Sequence, residues 1–334
     1  DPGCRVGGGM AKVESITVAS GEDGQRLDRW FKTHYPQLKF GQLQKLLRTG
    51  QIRVDGKRAK GDHRLEAGAE IRIPPFPGTS NEPARPAKPK KVAAEDVSML
   101  HDRVLYRDKD VLVIDKPAGL AVQGGSKTTR HLDAMMDALT FEADEPPRLV
   151  HRLDKDTSGV LVLARHQKAA RALSKAFKSR ASRKIYWALV IGVPKPPVGE
   201  ISSHLEKRGG AGGEKVEISD RGQHALTYYE VIDQAAQKIA WLGLMPATGR
   251  THQLRVHCAG LGTPIVGDGK YGGAEAFPDG LANQLHLHAR SIRLPHPSGG
   301  MLEAEAPLPA HMKQSFERFG FNPNEAAEVF ADVD

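Results

Sequence analysis

Cysteine is nearly missing from this chain: there are two in 334 residues, Cys4 and Cys258. That excludes a disulfide framework and fits a reducing, cytoplasmic compartment. No apolar run approaches the roughly 20 residues of a membrane-spanning helix, so no membrane partner is expected. Asp1 to Gly9 lacks a basic segment followed by an apolar one, so it is not a signal peptide; Met10 reads as a start and residues 1–23 as a leader. Nucleotide-loop chemistry is missing too. Gly119 and Gly124 stand five apart after an apolar run, but Gly125 and Ser126 follow where such a loop needs Lys and then Ser or Thr. Metal spacing is equally poor. His252 and His257 are five apart on an expected helix, and His286 and His288 share a strand face without a cysteine or carboxylate cluster. The spacings therefore give no nucleotide loop and no metal site.

What is present is an ordinary apolar fraction, 39%, enough for a sizeable core, and a net charge of +8 that favours a polyanionic partner. The charge is uneven. Residues 26–73 hold 12 Lys/Arg against 5 Asp/Glu, whereas residues 317–334 hold one Arg against 5 acids. The basic density thus sits in one small front module, residues 24–75. Leu27, Trp30 and Phe31 recur at helical spacing, as do Leu43, Leu46 and Leu47 before Gly50; two short strands follow, Gln51–Lys57 and Glu70–Ile73. Pro74–Lys91 is rich in proline and lysine, which suits neither helix nor central strand, so residues 76–98 read as a linker.

The body of the chain, residues 99–320, reads as α+β, with a mixed, mostly antiparallel sheet, followed by an acidic tail at 321–334. Val104–Tyr106 and Val111–Ile114 flank a charged turn and read as a hairpin. Leu132, Met135, Met136 and Leu139 mark an amphipathic helix, and Gln167–Arg180 a second with a basic outer face. Arg183–Val190 is a strand whose alternation puts Lys184, Tyr186 and Ala188 on one face. Ala225–Ile232 and Ile239–Met245 read as antiparallel neighbours, and Thr248–His257 opens a helix.

All of this is arranged around His151-Arg152-Leu153-Asp154-Lys155-Asp156-Thr157-Ser158-Gly159-Val160-Leu161. Val160–Ala164 has the composition of a strand buried on both faces, and Asp156–Gly159 that of a turn. A charged loop is thereby pinned to the end of a rigid strand, where a scaffold can aim a reactive group. Asp156 reads as a turn cap. Asp154, with no turn role of its own, is as well explained by an ion pair as by chemistry from composition alone.

The run His-Arg-Leu-Asp-x-x-Thr-Ser-Gly-Val-Leu resembles the active-site signature of the RluA family of pseudouridine synthases, and the resemblance extends over most of the chain. Lys116-Pro-Ala-Gly119, Lys184-x-Tyr186, Gly249-Arg-Thr-His-Gln-Leu-Arg255 and Pro264-Ile-Val-Gly-Asp-Gly-Lys-Tyr-Gly272 are similar to further family motifs. Gln123 departs from them, standing where a histidine is common. The resemblance implies the pseudouridine synthase fold, Asp154 as the catalytic residue, and no cofactor, since the isomerisation needs no redox change and no outside group. It further implies Tyr186 stacked on the target base and Arg255 paired with Asp154, with Arg250 as the runner-up partner. His151, Arg152, Leu153, Arg250 and Gln253 are expected to bind substrate, with Arg152 active in base flipping, and Lys116-Pro-Ala-Gly119 to support the site from beneath. The front module resembles the alpha-L RNA-binding motif, whose RNA face falls on Gln44, Lys45, Arg48, Thr49 and Arg53. The implied partner is large-subunit ribosomal RNA, with transfer RNA as an alternative, engaged by a monomer. Two other classes remain open on the residues alone: a hydrolase pairing Asp154 with Asp156, and a non-catalytic ribosome-binding factor.

Overall fold

The computed structural model describes residues 13–75, 92–125, 128–209, 214–326 and 329–330. The chain divides into two compact units, Asp1–Lys91 and Val92–Asp334. Most of the expected proline-rich linker lies outside the described residues.

The first unit begins with strand β1 (Glu14–Thr17), followed by helices α1 (Leu27–His34) and α2 (Phe40–Arg48) and strands β2 (Arg53–Val54), β3 (Lys57–Arg58) and β4 (Glu70–Ile73). The sheet order is β1-β4-β2-β3. β1 falls within the expected leader and pairs antiparallel with β4, where alternation turns Ile16 toward the Trp30, Phe31 and Tyr35 core. Gly50 ends α2 in the left-handed conformation, φ 69°, as the sequence predicts.

The second unit starts with α3 (Ala94–His101), so the expected linker already contains the start of a helix, anchored through Leu100. Its strands are β5 (Val104–Arg107), β6 (Val111–Lys116), β7 (Arg148–Leu149), β8 (Ser158–Ala164), β9 (Arg183–Ile191), β10 (Val198–Arg208), β11 (Lys215–Ile218), β12 (Gln223–Ala235), β13 (Ile239–Pro246), β14 (Leu287–Pro295) and β15 (Met301–Glu305). They form one sheet in the order β11-β10-β12-β13-β9-β14-β8-β6-β5, with β15 added to β14 and β7 to β8. Every pairing is antiparallel except β8 with β14.

Alternation assigns each strand's two faces. Leu112, Ile114, Leu161 and Leu163 pack on Leu100 and a 3-10 helix, Leu132–Leu139. Val111, Val113, Val160 and Val162 pack on Ala169 and Leu173 of α4 (Gln167–Ala176). β8 is buried at every residue, as its apolar composition predicts. Farther along the sheet, Trp187, Leu189 and Trp241 meet Met312 and Phe316 of α7 (Ala310–Phe319). Ala188, Leu242 and Leu244 meet Leu254 and Cys258 of α5 (Gln253–Gly260). Each fully buried side chain of this size contributes about 1.5–3 kcal/mol of transfer free energy. The expected acidic tail is not wholly detached: Phe321 and Phe330 are buried.

Gly159, Ala289, Tyr186 and Leu244 lie in register across four adjacent strands. The parallel contact at Gly159 demands glycine. Its φ is 113°, and a Cβ there would stand 2.2 Å from the Ala289 carbonyl oxygen. This line across the sheet is the floor beneath the loop of Asp154.

Candidate active site

The loop His151–Thr157 leads into β8 and is held from three directions. Leu153 is buried in the core. The Thr157 amide donates to the Asp154 carbonyl at 3.1 Å, closing a turn in which the Asp156 side chain remains exposed. From beneath, the fully buried Lys116 ammonium donates to the carbonyls of Pro117, Leu120 and Lys155 at 2.8, 2.8 and 3.0 Å. Burial pushes the Lys116 pKa down to about 7 against the pull of Asp156, Asp154 and Asp115. The lysine thereby ties the Lys-Pro-Ala-Gly turn to the loop of Asp154, with Gly119 N–H adding a second bond to the same Lys155 carbonyl at 2.9 Å.

His151 is spoken for on one side. Its Nε2 accepts the Val162 amide at 2.8 Å and its ring stacks on Phe177 at 4.3 Å. Burial takes its pKa down to about 3, so it is a neutral support. At the other end of the loop, Ser158 Oγ bonds His288 Nδ1 at 2.8 Å, and His288 Nε2 donates to the Ala306 carbonyl at 3.1 Å. His286 is similarly engaged, with Gln284 O and Ser315 Oγ.

The loop faces a cleft of about 950 Å³, lined by Asp154, Tyr186 and Arg255 together with His151, Arg152, Leu153, Arg250 and Gln253. Every expected catalytic and substrate-binding residue therefore borders one space. Asp154 is the one carboxylate among the described lining residues, and Asp156 is not among them, which leaves a two-carboxylate hydrolase without its second acid. Tyr186 projects from β9 between the cores of the two halves of the sheet. Burial and the Asp154 charge both hold its phenol well above its ordinary pKa, so it stays protonated.

The expected pairing of Arg255 is corrected. Its guanidinium forks onto Asp268 at 2.9 and 2.8 Å. Asp268 also caps the short helix α6 (Gly269–Gly272), and its fully buried carboxylate takes the bidentate partner within reach. The Asp154 charge still acts on Arg255, whose pKa is raised by the Asp268 bonds and by both carboxylates although burial opposes it. Arg250, the runner-up, donates to His224 O at 3.0 Å and Gln223 Oε1 at 2.9 Å. The group that faces Asp154 is His252, with Nε2 3.9 Å from Oδ2. It sits at φ 54° and joins Nδ1 to the Tyr271 hydroxyl at 2.6 Å, and that hydroxyl accepts the Val216 amide at 3.0 Å.

Gln253 lines the cleft, but both ends of its amide are occupied. Oε1 accepts from Thr248 Oγ1 and Arg250 N, while Nε2 donates to Leu226 O and Thr227 Oγ1. It fixes the start of α5. Arg152 is exposed at the rim, near Lys178 and Arg180. His252, Asp268 and Tyr271 escape a reading of the residues alone, although two quoted motifs contain them, because their roles depend on a contact 13 to 19 residues apart in sequence.

In the first unit Gln44, Lys45 and Arg48 are exposed on α2, and Thr49 in the turn after it. Arg53 instead donates to the carbonyls of Gly50 and Gly56 at 3.1 and 3.2 Å, bracing the β2–β3 turn. Asp108, Asp110 and His296 come close enough to surround a cation. Their acceptors already take Asp110 N, Val111 N, Tyr106 OH, His166 and Ser298, so they close the β5–β6 hairpin, at the far end of β6 from Lys116.

A cleft with one carboxylate, a protonated tyrosine and several cations agrees with the activity that the resemblance implies. Comparison with known proteins gives the same class. Residues 110–260 match the family model for RNA pseudouridylate synthase. A ribosomal large subunit pseudouridine synthase C of Rickettsia felis is 36% identical over 299 residues, 87% of this chain and 95% of that protein. The Escherichia coli K12 protein of the same name is 36% identical over 315 residues, 92% of this chain and 96% of its own. The solved structure of human RNA pseudouridylate synthase domain containing 4 superposes with a TM-score of 0.57 at 32% identity, covering 68% of this chain and 96% of that one. Among the described residues no helix is long and apolar enough to cross a membrane. The chain belongs to the RNA pseudouridylate synthase family, and it is an enzyme that isomerises uridine in RNA to pseudouridine.

Proposed function

We propose that this synthase acts on specific uridines of large-subunit ribosomal RNA, with Asp154 as the reacting carboxylate. The observation that carries the catalytic assignment is the cleft in which Asp154 is the one acid among the described lining residues, with Tyr186 and Arg255 beside it. The carboxylate either attacks the sugar or the base, or takes the proton from the ribose 2′ carbon. Tyr186 holds the freed base face-on while it turns, Arg255 adds positive charge near Asp154, and Arg152 at the exposed rim fills the gap left by the flipped base.

The substrate reading rests on the relatives named for large-subunit ribosomal RNA, which align with about nine-tenths of the chain. It is supported by a front module in which Gln44, Lys45 and Arg48 lie exposed together, suited to phosphate contacts that give affinity without sequence choice. Arg53 braces the β2–β3 turn that follows α2. The enzyme works as a cytoplasmic monomer.

Mapping pseudouridine in ribosomal and transfer RNA from cells with and without the protein tests the substrate. Loss at large-subunit positions is expected, and loss confined to transfer RNA overturns it. Asp154→Asn tests the site: turnover is expected to vanish while RNA affinity is retained, and substantial remaining activity overturns the assignment.

A further inference from the structure

Lys184 stands on β9 two residues before Tyr186, on the same face of the strand, and lines the same cleft as Asp154. It is partly buried, and among the described residues its ammonium has no hydrogen bond and no ion pair. Burial lowers its pKa, and no carboxylate among the described residues opposes that shift. Its cation instead bears on His151, depressing that ring further. Lys116, also buried, is compensated: it has three carbonyls and three nearby acids. A cation withdrawn from water without a counter-charge is costly and persists where a ligand supplies the charge.

The reaction generates such a charge. When the N1–C1′ bond breaks, its electron pair stays on the uracil ring. C1′ either bonds to an Asp154 oxygen or loses its C2′ proton to that carboxylate and becomes an alkene carbon. The detached ring is then an anion, with charge spread over N1, O2 and O4. Attack of C5 on C1′ releases the carboxylate or returns the C2′ proton, and the C5 proton leaves as N1 gains one.

We propose that Lys184 is a catalytic residue that binds the negative charge on the detached uracil while the ring turns beneath Tyr186. This rests on the Asp154 reading above. A phosphodiester is the poorer fit to this position, because the exposed cations of Arg152, Lys178 and Arg180 already line the outer part of the cleft where a backbone would run.

The test is single-turnover kinetics on a uridine-containing ribosomal RNA fragment, with RNA affinity and melting temperature measured in parallel. Removing one donor to a developing anion lowers the rate by about 100-fold or more. Lys184→Met is expected to do this with the RNA dissociation constant changed less than about threefold and melting temperature unchanged or raised, since a buried charge is removed. Lys184→Arg is expected to recover part of the rate. On RNA carrying 5-fluorouridine, whose ring accepts charge more readily, the initial bond-breaking defect of Lys184→Met should shrink. An unchanged rate, or a loss confined to RNA affinity, overturns the proposal, the latter in favour of a phosphate contact. Asp154→Asn measured alongside separates the two readings: its retained activity sinks the Asp154 assignment, whereas an inactive Asp154→Asn beside a fully active Lys184→Met sinks this proposal alone.

Discussion

Nε2 of His252 lies 3.9 Å from Oδ2 of Asp154, closer than the arginine of the same helix comes to forming an ion pair with that carboxylate. Tyr271 holds the ring from its other side: its hydroxyl accepts the Val216 amide and bonds His252 Nδ1, which leaves Nε2 facing Asp154. Burial lowers the His252 pKa, Arg255 and Lys270 add to this, and Asp154 and Glu214 oppose it.

His252 is therefore a positioning residue, neutral at neutral pH, and His252→Asn tests it. Asparagine tolerates the left-handed backbone that the site requires. Misaligning the carboxylate should lower kcat by roughly tenfold to a hundredfold with KM little changed. As pH falls in the wild type, the charged imidazole pairs with Asp154 and draws off its reactivity. The variant should lack that part of the acid limb. Unchanged kcat together with an unchanged acid limb would assign His252 a structural role only.

Asp268→Asn keeps the helix cap and removes the charge that Arg255 holds. The arginine side chain is 12% exposed and its partner fully buried, so the change leaves a cation without compensation. Breaking such a pair costs about 3–5 kcal/mol, and removing both groups costs less. Denaturant melts of Asp268→Asn, Arg255→Gln and the double variant should give a large coupling energy. Additive losses would mean that the fork contributes little.

The parallel junction of β8 and β14 gives a third expectation. Gly159→Ala places a Cβ 2.2 Å from the Ala289 carbonyl oxygen at a φ of 113°. Backbone, rather than a flexible side chain, is what must move, and the strained dihedral adds about 1–3 kcal/mol by itself. The variant should lose more than about 4 kcal/mol or fail to fold. A soluble Gly159→Ala with the wild-type melting temperature would contradict the geometry.

The contrast between Lys116 and Arg255 explains how far the sequence could be read. A strand buried on both faces announces itself by composition, so β8, β6 and the loop between charged residues and strand were legible from Val160–Ala164 and its flanks. Lys116 follows from its motif, because the acceptors it needs are largely the carbonyls of its own turn. Arg255 had two carboxylates to choose between. Which one it forks onto depends on α6 packing beside α5, and no local pattern encodes that. β1 was hidden for a different reason. Four residues of mixed polarity, Glu14–Thr17, become a strand only because β4 offers them an edge. Nor could alternation reveal that Lys184 has no partner, since that is a property of what surrounds it.

Acid should weaken the fold before it reaches the carboxylates. Burial takes His151 down to about 3 and His257, His286 and His288 to about 4 each, from an ordinary 6.5. Hydrogen bonding agrees. His151 Nε2 accepts an amide and His288 Nδ1 accepts a hydroxyl, bonds that a protonated ring cannot accept. Between about pH 6.5 and 4 the unfolded chain binds protons that the folded one refuses, so stability is complete above 6.5 and falls as pH drops through that window. Each histidine that stays neutral contributes a slope of at most about 1.4 kcal/mol per pH unit. Denaturant midpoints should be level above pH 7 and decline steadily below 6.5. His288→Gln, which can still accept from Ser158, should be less stable at pH 7 yet show a shallower decline. A midpoint that does not change between pH 7 and 4.5 would mean that these rings are accessible to protons in the folded state.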